Sequence, residues 1–212
     1  MEVIPALNCH DKDFDCIREK ARIADGLGAW AHLDVADARY TFNKTWGDSE
    51  DWAKLKTRLQ LEVHLMAEEP EKYAREWLLA GAKRIIVHAE TLNYESAEKM
   101  LAMAKEHGAE AMLAFSPETQ IESAVSYMGM FLGFLVLAVH PGLPGQNFLP
   151  LVLEKIKLLR EKYPNAKIEV DGGINYETGK RAKEAGADIL VSASYIFGDK
   201  NPQAAYQNLV SL

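Results

Sequence analysis

Short apolar runs alternate with longer, charged stretches along the whole chain. The apolar runs fall at 3–7 (VIPAL), 30–35 (WAHLDV), 61–66 (LEVHLM), 84–89 (RIIVHA), 111–115 (AMLAF), 131–139, 167–171 (KIEVD) and 187–193 (ADILVSA). Runs of this length, bounded by polar residues, predict buried strands. Between them, residues 12–25, 48–59, 70–80, 94–107, 149–162 and 175–185 carry apolar positions at helical spacing. Several helix-to-strand joins contain Gly and Ala: GLGAW (26–30), AGAKR (80–84), HGAEA (107–111) and AGADI (185–189). Glycine is the expected helix stop there. The strand–helix unit recurs roughly every 25 residues, too loosely to be a strict repeat.

Alternation of strand and helix predicts a parallel sheet covered by helices. Eight strand–helix units predict closure into a (β/α)8 TIM barrel, with residues 1–212 as a single domain. This length is close to the lower size limit of about 200 residues for the fold. An open doubly wound sheet would call for a G-x-G-x-x-G turn after its first strand. The chain has ALNCHDKDF there instead.

Barrel function collects at the C-terminal ends of the strands. In chain order those ends carry Asn8, then His32 and Asp34, His64 and Met66, His88, Ser116, His140, Asp171 and Ser194. His32 and Asp34 lie two apart, so a strand aims both at one face. A carboxylate buried there needs a cation or a hydrogen-bond network. Together His32, Asp34, His64 and Asp171 offer two imidazoles and two carboxylates, a donor set for Zn²⁺, Fe²⁺, Mn²⁺ or Co²⁺. Taken singly, each is as well explained as a core histidine or an ion-paired aspartate; their convergence on strand ends favours the metal.

Composition narrows the ligand. The chain is 48% hydrophobic and 26% charged, with a net charge of −7. That balance argues against nucleic acid and anionic membranes as partners. An anionic substrate must therefore be held locally, by backbone amides or a metal. Two glycine-rich stretches, VHPGLPGQNF (139–148) and DGGIN (171–175), together with SASYIFG (192–198), suit a phosphate pocket at the ends of the last strands. Each alone would be an ordinary turn. Cys9 and Cys16 are expected to be free thiols in a reducing cytoplasm. The opening MEVIPALN has no signal-peptide pattern, and the apolar run 128–139 is too short to span a bilayer.

The segments HLDV (32–35), EVHLM (62–66), PG-x-x-GQ-x-F (141–148) and EVDGGIN (169–175) resemble the ribulose-phosphate 3-epimerase family, and the resemblance runs nearly end to end. It implies a barrel of the ribulose-phosphate-binding type with one divalent metal (Zn, Fe, Mn or Co) on His32, Asp34, His64 and Asp171, and no organic cofactor. It implies that Asp34 and Asp171 are the catalytic acid/base pair. They would exchange a proton at C3 of a small phosphorylated ketose through a metal-bound enediolate, most simply interconverting D-ribulose 5-phosphate and D-xylulose 5-phosphate. Substrate contacts would come from Asn8, His64, Met66, Gly142, Leu143, Pro144, Gly145, Gly172, Gly173, Ala193 and Ser194. A homo-oligomer is compatible with this type of barrel.

The chain departs from the family pattern around the substrate. Asn8 replaces a Ser. Ala36 and Leu137 replace methionines, leaving Met66, and Ala38 replaces a Gly. Pro144 removes an N–H from the phosphate loop, and Ala193 stands where Gly is usual. These departures leave two alternatives within the class: a 3-epimerase of a hexulose 6-phosphate of the allulose 6-phosphate type, or a sugar-phosphate-binding barrel without catalysis. A related decarboxylase or aldolase-type synthase would carry a D-x-K-x-x-D element. Asp34 is succeeded by Val35 and Ala36 instead.

Overall fold

The computed structural model describes residues 1–142 and 145–212. Its strands are β1 (Glu2–Pro5), β2 (Trp30–Ala36), β3 (Gln60–Met66), β4 (Arg84–His88), β5 (Glu110–Phe115), β6 (Gly133–Leu137), β7 (Lys167–Asp171) and β8 (Ile189–Ser192). They form one parallel sheet in the order β1-β8-β7-β6-β5-β4-β3-β2. The ends of that sheet meet. Ala6 bridges His32, and the Leu7 N–H donates to the His32 carbonyl at 2.8 Å. The architecture is a nearly closed TIM barrel.

The helices are α1 (Phe14–Ala24), α2 (Ser49–Ala53), α3 (Pro70–Leu79), α4 (Tyr94–Glu106), α5 (Val152–Lys162), α6 (Tyr176–Ala185), α7 (Ser194–Phe197) and α8 (Pro202–Val210). Local chemistry sets their ends. Asn93 and Ser96 cap α4 reciprocally, as Asn175 and Thr178 cap α6, each satisfying N–H groups the helix cannot. Gly186 ends α6 in the left-handed region, φ 115°, where a side chain is disfavoured. Two short 3₁₀ turns, Ile121–Ala124 and Met128–Met130, stand in place of a helix between β5 and β6.

Two sequence expectations need correction. The helical stretch expected over 48–59 shrinks to α2, because Asp25 captures the residues beyond it. Its carboxylate accepts from the Thr57 hydroxyl at 2.9 Å and the Arg58 N–H at 3.1 Å. Cys9 and Cys16 are not free thiols but a disulfide, with Cα atoms 6.1 Å apart. The capped first turn of α1, where Asp13 accepts from the Cys16 N–H at 3.0 Å, folds the β1–α1 loop back until the two sulfurs meet.

The strands' period of two divides the core. Alternate residues such as Leu33, Val63, Ile85 and Val170 pack against the helices. The opposite set fills the barrel. There, one apolar cluster (Ile86, Met112, Ala114, Leu135, Leu137) and another (Ile4, Ala6, Ile189, Val191) remain separate. The interior-facing positions of β2, β3, β4 and β7 are instead largely polar: His32, Asp34, Glu62, His64, Arg84, His88, Glu169 and Asp171, all buried.

Candidate active site

His32 and Asp34 on β2, His64 on β3 and Asp171 at the end of β7 converge. One ligand atom from each lies within 4.8 Å of all the others. Asp34 is the hub. Its Oδ1 meets His64 Nδ1 at 2.7 Å and His32 Nε2 at 3.2 Å, and its Oδ2 accepts from the Asn8 amide at 2.6 Å. Asn8 also accepts from the Asp34 N–H at 3.4 Å.

The two carboxylates sit in opposite electrostatic settings. Burial would raise Asp34, yet His32 and His64 hold it well below the usual carboxylate range. Burial, and then the neighbouring Asp34 charge, push Asp171 up to about 7. Burial lowers His64 to about 4. His32 is held well above its ordinary value by Asp34, Glu169 and Glu62 despite the burial that opposes its charge. Two crowded carboxylates with two imidazole nitrogens, shielded from water, form a donor set that a divalent transition metal fits.

Each imidazole is held from behind. His32 Nδ1 meets Glu62 Oε1 at 2.8 Å, and His64 Nε2 meets His88 Nε2 at 2.8 Å. Below His32, the buried Arg84 guanidinium donates to Glu62 at 2.5 Å, pairs with Glu110 at 3.0 Å, and lies 4.4 Å from the Trp30 ring centroid. Glu169 lies 3.6 Å from His32 and 3.5 Å from Arg84. Both of its oxygens are buried without a hydrogen bond, and burial with the Glu62 charge pushes it up to about 8. The nearby Arg84 and His32 offset that burial only in part.

Sequence reasoning assigned no role to Glu62, Arg84 or Glu169. A signal was present. Glu62 precedes His64 by two, and Glu169 precedes Asp171 by two, so each shares a strand face with a site residue. Tyr40, Glu90 and Thr45 were also missed. Thr45 accepts from the Ala36 N–H at 2.9 Å and donates to the Asp34 carbonyl at 2.7 Å, but it comes from a loop with no periodicity.

A cavity of about 110 Å³ opens onto the Asp34 and Asp171 carboxylates. Of the expected substrate contacts, Asn8, Met66, Gly142, Gly145, Gly172, Gly173, Ala193 and Ser194 line it. His64 is fully buried and is not among the lining residues. Leu143 and Pro144 lie outside the described residues. Leu137 lines the cavity, as does the exposed His140, which pairs with Glu118 at 3.0 Å. Backbone packing requires Gly173: it has φ 65°, and a Cβ there would sit 2.5 Å from the Phe148 nitrogen.

A nearly closed parallel barrel with imidazoles, carboxylates and glycine turns gathered at one cavity has the architecture of barrels that place an active site at the C-terminal face of the sheet. Similarity to known proteins narrows this class. Residues 5–197 match the model of the ribulose-phosphate 3 epimerase family, and the chain belongs to that family. It is 38% identical over 203 residues to the ribulose-phosphate 3-epimerase of Chlamydia trachomatis serovar D, covering 92% of this chain and 86% of the relative. It is 34% identical to that of Schizosaccharomyces pombe, over 91% of this chain and 85% of the relative. Among solved structures, 3-hexulose-6-phosphate synthase from Salmonella typhimurium superposes with a TM-score of 0.71 at 15% identity, covering 100% of this chain and 97% of that one. Orotidine 5'-phosphate decarboxylase from Pyrococcus horikoshii gives 0.66 at 18% identity, covering 98% and 96%. At such identities the likeness is one of fold alone.

Proposed function

We propose that this protein is a metal-dependent isomerase, a ketose-phosphate 3-epimerase that interconverts D-ribulose 5-phosphate and D-xylulose 5-phosphate. The observation that carries this is the Asp34–Asp171 pair: two buried carboxylates on different strands, facing one cavity, with opposite preferences for a proton. Groups whose surroundings drive their affinities for a proton apart mark an acid and a base. Family membership agrees with it.

Inversion at C3 needs a proton removed from one face and a proton returned to the other. Asp34, held ionised by Asn8, His32 and His64, is positioned to take one. Asp171, whose affinity for a proton is raised by burial and by the Asp34 charge, is positioned to give one; the reverse reaction exchanges their roles. His32, Asp34, His64 and Asp171 would together hold one divalent ion, Zn, Fe, Mn or Co. When bound, that ion supplies positive charge against the negative charge that develops as the C3 proton leaves. The glycine turns at Gly172–Gly173 and the Ala193–Ser194 step would take the phosphate through backbone N–H groups. Residues 1–212 would act as one working unit in the cytoplasm. Among the described residues, no helix is long and apolar enough to cross a membrane.

The test is incubation of the Fe²⁺- or Zn²⁺-loaded protein with D-ribulose 5-phosphate in D₂O, following C3 by NMR. Deuterium should enter at C3 as xylulose 5-phosphate appears. Asp34→Asn and Asp171→Asn should each lower turnover by about 10²–10⁴-fold, the usual contribution of a general acid or base. Absence of exchange in the loaded wild type would sink the pentose assignment. A second reading, a hexulose 6-phosphate of the allulose type, is motivated by Leu137 on the cavity wall where the family carries methionine. The same experiment with that substrate decides between them.

A further inference from the structure

His64 faces two ways. Its Nδ1 points into the ligand cluster, 2.7 Å from Asp34, while its Nε2 meets Nε2 of the fully buried His88 at 2.8 Å. Two ring nitrogens this close share one proton, so the tautomer of each ring sets that of the other. The far side of His88 is equally occupied. Its Nδ1 lies 2.9 Å from the Tyr40 hydroxyl, 3.2 Å from Glu90 Oε2 and 3.3 Å from the Ser116 hydroxyl. Glu90 is anchored in turn: its Oε1 accepts from the Ser116 N–H at 3.1 Å and from the Thr119 hydroxyl.

We propose that His88, backed by Glu90, is a positioning residue that holds His64 in the tautomer with a bare Nδ1 facing the cluster. A ligating nitrogen must present its lone pair. With Nδ1 bare, the proton sits on Nε2 and is donated to His88 Nε2. The His88 proton then sits on Nδ1, where the Glu90 carboxylate accepts it. In the opposite arrangement His64 Nδ1–H donates to Asp34, His88 Nε2–H donates to His64, and His88 Nδ1 accepts from Tyr40. The two rings carry two protons in either case. To pass from the second arrangement to the first, the His88 Nε2 proton moves to His64 Nε2, the His64 Nδ1 proton leaves on the Asp34 side, and His88 Nδ1 takes up a proton on the Tyr40–Glu90 side. The pair's count is unchanged because one proton is released where the cation enters and one is taken up at the far end. Glu90 supports the first arrangement and Tyr40 the second.

This role for His88 rests on the cation site proposed above, and the test separates the two. Co²⁺ would be titrated into the wild type, His88→Phe, His88→Gln and Glu90→Gln, reading the visible absorption of the bound ion and its dissociation constant by competition with a chelator. Far-ultraviolet circular dichroism of each ion-free variant checks folding. His88→Phe leaves the His64 Nε2–H without an acceptor, and should weaken Co²⁺ by about 10–100-fold, the usual effect of losing such a partner, with an altered spectrum. His88→Gln, whose amide oxygen can accept the same hydrogen bond, should recover most of the affinity. In the Zn²⁺-loaded wild type, ¹⁵N NMR should place the His64 proton on Nε2. Wild-type affinity and spectrum in a folded His88→Phe, or a His64 proton on Nδ1 in the loaded protein, would overturn the role of His88 while leaving the metal site intact. Failure of the wild type itself to bind Co²⁺ would overturn both. Should His88→Phe not fold, the Gln variants and the NMR assignment still decide.

Discussion

Glu90 shows how one side chain off the ligand cluster links chemistry to stability. Burial opposes its charge, yet the hydrogen bonds of His88 and the Thr119 hydroxyl hold it at about 2 against an ordinary 4.5. A carboxylate lowered in this way stabilises the fold fully above its ordinary value, and the stabilisation disappears as pH falls toward the folded-state value. Glu90→Gln should therefore destabilise the protein near neutrality by at most about 3–4 kcal/mol, taking 1.36 kcal/mol per pKa unit as the conversion. The gap should close as pH falls from 4.5 toward 2. Urea unfolding of both proteins across that range is the check, and a gap that persists at the acid end would refute the assignment. Glu62, Arg84 and Glu169 work at the same scale beneath His32. Arg84 joins the two glutamates there, 2.5 Å from Glu62 and 3.5 Å from Glu169.

Among the elements, the β1–α1 connection carries a constraint of its own. The Cys9–Cys16 disulfide closes a loop with a sequence separation of 7. It starts one residue after Asn8, whose amide holds Asp34 and whose carbonyl accepts from Lys20 on α1. Chain-entropy arithmetic for so short a loop gives about 2.5 kcal/mol of stabilisation. Cys16→Ser should lower the melting temperature, and reductant should bring the wild type to nearly the same value while leaving the variant unmoved. Equal melting temperatures with and without reductant would show that the bond adds nothing. Loop chemistry also explains the truncated α2. Asp25 offered Thr57 and Arg58 a competing set of hydrogen bonds, and helical spacing alone cannot weigh such a competitor.

The barrel as a whole is not equally tight around its circumference. β2 and β3 pair over seven registered positions from Trp30–Gln60 to Ala36–Met66, whereas β1 and β2 meet at the Ala6–His32 bridge. Sub-global opening is expected where backbone pairing is sparse. Native-state hydrogen exchange should find the Leu7 amide, donated to His32 across this seam, less protected than the amides of β3. Protection equal to that of β3 would show that side-chain packing, not pairing, closes the barrel. The seam lies beside the site, so the same opening would release Asn8 and His32 from one another's strands.

By itself the sequence determined the order of eight strands with helices between most of them, the barrel this implies, and the strands on which His32, Asp34, His64 and Asp171 sit. Those are local properties: a period of two aims side chains to one face, and a strand's end is a short distance along the chain from its middle. The tertiary structure alone decided what stands behind the site. That His88 abuts His64, that Tyr40 returns from a loop onto His88, that Arg84 binds Glu62 beneath His32, and that Cys9 reaches Cys16 all depend on distances fixed across strands and loops. Such distances are set by barrel closure and side-chain packing, and no spacing along the chain encodes them.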